Sequence, residues 1–243
     1  ATLIILLKLP ESRPCVLRRD PEHTNVRKVF GQEQKECFEL AGAGRIGPRQ
    51  MLRLPGVARL LALYFLVMLG FNFFYIAFPM WAVEGLRWSV RDTGLFFSTL
   101  SFALVCVQGP VLSRASRRWS DGALALWGSL ILASSFPFFT SRSMGLLYAG
   151  VPLLALGNGL MWPSVVSLLS KAAGNQHQGA VQGFASSLGA VASIVGLLVG
   201  GLLFETLEAR VFLLSALMIG VVFLLCIPLL RSRKAQSSAA VAD

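Results

Sequence analysis

Charge is scarce in this sequence. Of its 243 residues only 14% are Asp, Glu, Lys or Arg, where a soluble domain carries about a quarter. The polar coat that water requires is therefore largely missing. Paired cysteines are missing as well: Cys15, Cys37, Cys106 and Cys226 stand far apart with no Cys-x-x-Cys, which argues against a zinc site or a disulfide framework. No Gly-x-Ser-x-Gly, His-Glu-x-x-His or P-loop pattern occurs, so hydrolase, metalloprotease and nucleotide-driven readings have no residues to carry them. The two histidines, His23 and His177, fall in polar segments and read as loop residues. No enzyme activity, cofactor or metal is expected. The formal charge of +10 would suit a nucleic-acid partner, but in a membrane protein the same excess arises because basic residues collect in cytoplasmic loops; nucleic acid is not expected as a partner.

What the sequence has in quantity is apolar surface: 55% of residues are hydrophobic, with a mean hydropathy of +0.66. Six stretches contain no Asp, Glu, Lys or Arg, at 60–83, 94–113, 122–141, 144–170, 178–204 and 211–230. Each meets the length of about 20 apolar residues that a helix needs to cross a bilayer. Transmembrane strands would alternate in character, which Val221-Val222-Phe223-Leu224-Leu225 does not. The predicted fold is an all-α membrane protein, a six-helix bundle over 57–230 with its backbone hydrogen bonds closed inside each span. Residues 1–10 read as the end of a truncated transmembrane helix, 11–56 as a cytoplasmic linker broken by proline and glycine, and 231–243 as a cytoplasmic tail. With both ends in the cytoplasm, the inside set is Arg45, Arg49, Arg53, Arg59, Arg114, Arg117, Arg118, Lys171, Arg231, Arg233 and Lys234. The outside set is Arg87, Arg91, Arg142 and Arg210. This is the bias that the positive-inside rule describes, and it predicts a multi-pass protein of the plasma membrane.

Inside lipid, helices gain little from burying apolar surface on one another, so close crossings depend on small residues. The fifth span carries them every three or four positions: Gly179, Gly183, Ser187, Ala190, Ser193, Gly196 and Gly200. They suit either a face that rocks against a partner or a static crossing. Polar side chains within spans are costly and tend to face a cavity or another helix. Asn72 and Tyr75 share a face of the first span with Pro79, and Gln108 shares one with Ser98 and Ser101 in the second. Asn158 and Trp162 lie four apart in the fourth, among Gly157, Gly159 and Pro163. That run predicts a bent or locally unwound helix, a feature of transporter binding sites. Asn72, Tyr75, Gln108, Asn158 and Trp162 are the candidate cavity lining; pairing across helices is the plainer alternative. No Asp, Glu, Lys, Arg or His sits mid-span, so these spans alone offer no proton relay. The cluster Arg114, Arg117 and Arg118 with Asp121 is the densest charge between spans. It suits a topogenic anchor on anionic headgroups or a latch in which Asp121 meets arginines in one conformation. Ser89 and Asp92 have the spacing of a capping box that opens the second span.

Together these residues resemble the C-terminal half of a major facilitator superfamily transporter. Leu9-Pro10-Glu11-Ser12 is similar to the Leu-Pro-Glu-(Ser/Thr) that closes the family's sixth helix. Gln108-Gly109-Pro110 followed by Arg114, Arg117 and Arg118 resembles the degenerate second copy of its basic loop, though without the usual Gly-x-x-x-Asp-Arg. His177-Gln178-Gly179-Ala180-Val181-Gln182-Gly183, leading to Ser193-Ile194-Val195-Gly196 and Gly200-Gly201, looks like the drug:proton antiporter branch that includes tetracycline efflux proteins. The resemblance implies that the spans are helices seven to twelve, with the seventh, eighth, tenth and eleventh lining a central cavity. It also implies a missing N-terminal six-helix half, and a secondary transporter that moves a small organic solute by alternating access, with efflux by proton antiport. The competing reading is a non-transporting scaffold or assembly partner that keeps half of a transporter fold.

Overall fold

Each apolar run closes its own backbone hydrogen bonds, so the chain has little choice but helix. A computed structural model of the protein describes residues 47–239, apart from the side chains of 175–176 and 230–239. The segment read as a helix end, most of the linker, Leu9-Pro10-Glu11-Ser12, Cys15, Cys37 and His23 lie outside the described residues. Among those described there is helix and no strand. A short helix α1, Pro48–Arg53, is followed by α2, Val57–Glu84, and α3, Val90–Cys106. A π-helical turn, Val107–Val111, carries α3 into α4, Leu112–Arg118. Next come α5, Asp121–Ser135, extended by a 3-10 turn to Thr140, then α6, Met144–Leu207, and α7, Val211–Ala239.

The 64 residues of α6 are two arms divided at Gly174, which holds φ 65°, ψ 168°. Only glycine takes that conformation without a side-chain penalty. Gly56, with φ 81°, does the same between α1 and α2. The second arm ends where Glu208 turns the chain at φ 47° and a 3-10 turn, Glu208–Arg210, leads into α7. Val57–Glu84, Val90–Arg118, Asp121–Thr140 and Met144–Gly174 are long and apolar enough to cross a membrane, as is the stretch His177–Leu229 that this turn divides.

Close approaches fix the relative directions of α2, α5, the two arms of α6 and α7. On α2, Tyr64, Asn72 and Phe73 meet Gly189, Gly196 and Gly200 in rising order, so the second arm of α6 runs parallel to α2. Phe78 meets Phe212 while Gly70 meets Ile219, so α7 runs the other way. Gly128 lies on Met161 and Gly157 on Leu132, which makes α5 and the first arm antiparallel. Thus α2 is packed on α6 and α7, α5 on the same two, and α3 on α6. The least covered span is Val90–Arg118.

Phenylalanine fills one end of this bundle. Phe74, Phe78, Phe96, Phe136, Phe139 and Phe212 are all fully buried. Phe78 stacks on Phe96 at 4.2 Å between centroids, and Phe74 reaches Phe139 at 5.0 Å. Aromatic pairs of this kind contribute about 0.5–1.5 kcal/mol each beyond burial. That geometric part persists in lipid, where transfer from water no longer drives packing. Three of the four buried serines satisfy themselves locally: Ser129, Ser135 and Ser164 each donate to a carbonyl three or four residues back, as hydroxyls in apolar helices do, while the Ser215 hydroxyl has no partner among the described residues.

Candidate functional site

The Gly-Asn-Gly…Trp-Pro run of the fourth span does not unwind. Gly157 to Pro163 stay helical, and Gly174 is the residue inside α6 with non-helical backbone angles. The glycines serve close crossing instead. A Cβ on Gly157 would lie 2.4 Å from the backbone nitrogen of Leu132, and one on Gly159 would lie 2.5 Å from Val107 Cγ1. Between them Asn158 is half-buried, with no hydrogen-bond partner among the described residues.

The irregular backbone lies in the second span, at Gln108-Gly109-Pro110. Pro110 has no N–H to give to the ladder, and the turn widens so that the Leu112 N–H reaches the Val107 carbonyl. Gln108 is exposed on this π turn, with its Cγ 3.6 Å from where a Gly159 Cβ would be. The fold therefore brings the second and fourth spans together at Gln108, Gly159 and the neighbouring Asn158. Turns of this type recur at functional sites.

A second polar junction joins the first and fifth spans. Asn72 Nδ2 donates to the Met68 carbonyl at 2.7 Å and to Ser193 Oγ at 3.1 Å, and Ser193 donates to the Gly189 carbonyl at 3.0 Å. Gly196 makes this possible, because a Cβ there would sit 2.5 Å from Asn72 Cβ. About two turns toward the start of α2, Tyr64 lies against Gly189 and its ring is 4.9 Å from that of half-buried Trp162. Tyr75, at 43% exposure, stacks on Phe97 of α3 at 6.1 Å. Of the five candidates, then, Gln108 lies against Gly159, Asn72 pairs with Ser193, Trp162 with Tyr64, and Tyr75 with Phe97, while no contact joins Asn158 to another candidate among the described residues.

The small-residue series of the fifth span divides between two faces. Gly196 and Gly200 meet Asn72 and Phe73, whereas Gly179 and Gly183 have nothing within 4 Å of a Cβ and Ser187 is exposed. The packed face is Val181, Ala185, Gly189, Ala192, Gly196 and Gly200. Tyr64 and Ser193 carried no separate signal as partners of Trp162 and Asn72.

At the end of the bundle where α4 meets α5, Arg114, Arg117 and Arg118 line a recess of about 600 Å³ with Val111, Ala115 and half-exposed Trp119. Arg114 Nη1 donates to the Pro110 carbonyl at 3.1 Å. The Asp121 carboxylate accepts from Ser167 Oγ at 2.8 Å and from the Lys171 ammonium, tying α5 to the first arm of α6. Ser167 and Lys171 are four apart on one helical face, a spacing readable in sequence once a partner is known. Lys171 is 70% exposed, so this ion pair is worth little, about 0–1 kcal/mol.

Apolar helices of spanning length, self-satisfied serines and glycine crossings define a multi-pass α-helical membrane protein. The chain matches the family model described as Major Facilitator Superfamily over residues 60–242, and it belongs to that superfamily. It is 26% identical over 198 residues to the class G tetracycline resistance protein of Vibrio anguillarum, covering 77% of this chain and 49% of that protein. It is 22% identical over 178 residues to the class C tetracycline resistance protein of Escherichia coli, covering 72% and 44%. It is also similar, at 24% over 159 residues, to the uncharacterized MFS-type transporter YttB of Bacillus subtilis (strain 168), covering 62% and 40%. The chain spans less than half the length of each of these relatives.

Proposed function

We propose that this bundle forms half of a secondary active transporter that moves a small organic solute by alternating access. The other half would be a second six-helix bundle, and the basic residues of the shorter loops would hold both ends of this chain in the cytoplasm at a plasma membrane. One observation carries the reading. On the second span, left largely uncovered by the rest of the bundle, the backbone opens into a π turn at Gln108, which lies against Gly159, the residue after Asn158. Irregular backbone at membrane depth persists where it is buried in protein or lines a water-filled cavity, and broken helices mark transporter sites.

Asn158 and Gln108 would hydrogen-bond the solute, Trp162 and Tyr75 would wall it, and the Asn72–Ser193 pair would hold the first and fifth spans in register. Relatives named as tetracycline resistance proteins make tetracycline the first solute to try, with efflux by proton exchange. No Asp, Glu, Lys, Arg or His sits mid-span in residues 60–230, so coupling carboxylates would come from the partner bundle.

The test is tetracycline flux in proteoliposomes of the full-length protein. Asn158→Ala and Gln108→Ala should each lower the rate about tenfold or more with normal expression, the order of a lost polar contact. Unchanged flux in both would remove them from the lining. No flux of any solute in the unaltered protein would favour a scaffold.

A further inference from the structure

At the opposite end of the bundle from Arg114–Arg118, three separate turns converge on a recess of about 360 Å³. Trp81 comes from the end of α2, Thr140 and Arg142 from the connection between α5 and α6, and Leu207–Arg210 with Leu213 from the turn into α7. The volume falls within the range of about 300–1,000 Å³ typical of small-molecule sites.

Two properties of its lining point to an anion. Arg142 and Arg210 both border it, and among the described residues neither is in an ion pair. Glu208 borders it too, which leaves one net positive charge. The guanidinium of Arg142 lies over the indole of Trp81, its Cζ 5.5 Å from the ring centroid, an arrangement that holds an arginine in place by cation–π attraction. Trp81 itself is buried, at 4% exposure, so the ring beneath Arg142 belongs to the packed bundle.

The Trp81 ring packs over Gly85, where a Cβ would fall 2.1 Å from it, so glycine is required there. Two arginines without an ion pair, beside a recess on which three turns converge, suit a tetrahedral oxyanion. Arginine forks match such oxygens in pairs.

We propose that this recess binds a phosphate-type oxyanion, with Arg142 and Arg210 clamping its oxygens. The phosphate group is supplied either by the headgroup of an anionic lipid in the adjoining leaflet or by a soluble phosphate. This site is independent of the solute path proposed above, since its residues sit at the bundle's end and share none of its lining.

The experiment is thermal unfolding of the full-length protein in nanodiscs. Phosphatidylcholine discs are compared with discs containing phosphatidylglycerol, and phosphatidylcholine discs with added inorganic phosphate form the third arm. Binding to the folded state raises the midpoint by mass action, here by about 3 °C or more. A shift with phosphatidylglycerol alone assigns the ligand as the lipid headgroup; a shift with inorganic phosphate assigns it as a soluble anion. In either case Arg142→Gln/Arg210→Gln should abolish the shift, and Trp81→Phe, whose ring attracts the Arg142 guanidinium less strongly, should reduce it. Arg87→Gln/Arg91→Gln, two arginines at the same end outside the recess, should leave it intact. Should the double variant fold poorly, Arg142→Gln and Arg210→Gln singly serve the same purpose. No shift in any arm, or an equal shift in the Arg142 and Arg210 variants, would overturn the proposal. So would loss of the shift in the Arg87/Arg91 control alone.

Discussion

Single side chains set the contacts of this bundle, and glycines set them most sharply. Gly157 presses on the backbone of Leu132, where no flexible side chain can give way. Gly157→Ala should therefore destabilise the protein by about 1–3 kcal/mol, read as a lower unfolding midpoint in detergent. A midpoint unchanged within a degree would contradict the crossing. The Asn72–Ser193 bond, at 3.1 Å, links two spans 121 residues apart in sequence. A double-mutant cycle of Asn72→Ala and Ser193→Ala should return a coupling of about 0.6 kcal/mol, with about 1.7 kcal/mol as the upper end for such bonds in membranes. Additive effects would show that the two do not interact. Asn72 was legible as a polar residue that must face something, because hydrocarbon offers no partner. That it faces Ser193 was not legible, since hydropathy carries no information on which helix lies opposite.

Elements were readable where local chemistry decides them. Ser89 accepts from the Asp92 N–H at 3.3 Å, and Asp92 Oδ2 accepts from the Ser89 N–H at 3.0 Å. This is the reciprocal cap that the spacing implies. Proline and glycine were less informative. Pro152 and Pro163 lie within α6 without non-helical angles, whereas Pro110 accompanies a π turn. The difference is one of context: Gly157 and Gly159 pack against neighbours that hold α6 regular, while α3 is covered on little of its surface. Pro110→Ala restores the missing N–H and should let the ladder close. The expected result is a raised unfolding midpoint, because proline inside a helix costs about 3 kcal/mol, together with slower solute flux as the π turn is lost. A raised midpoint with undiminished flux would leave the turn a structural feature only.

On the scale of the whole molecule, the all-helical class and the membrane followed from six uncharged runs, because lipid leaves the backbone one economical conformation. Their arrangement did not follow. Small residues occur on more than one face of the fifth span, so a count of glycines and serines every three or four positions merges the packed face at Gly196 and Gly200 with the open one at Gly179 and Gly183. The phenylalanine cluster was equally hidden, since aromatic residues in an apolar span give no periodic contrast. The resemblance supplied the superfamily, and the match over residues 60–242 established it; which side chains meet a solute is carried by geometry alone.

The central claim is that the open face around the π turn is wet and lies on the solute path, and thiol accessibility tests it most directly. Cys106, exposed beside the π turn, and buried Cys226 are replaced by alanine along with Cys15 and Cys37, and Gln108→Cys is introduced into the full-length protein in its membrane. The account predicts that this thiol reacts with a charged, membrane-impermeant methanethiosulfonate and that a transported solute such as tetracycline slows the reaction severalfold. A thiol inert to the charged reagent but labelled by lipid-soluble N-ethylmaleimide would place Gln108 against lipid and contradict it.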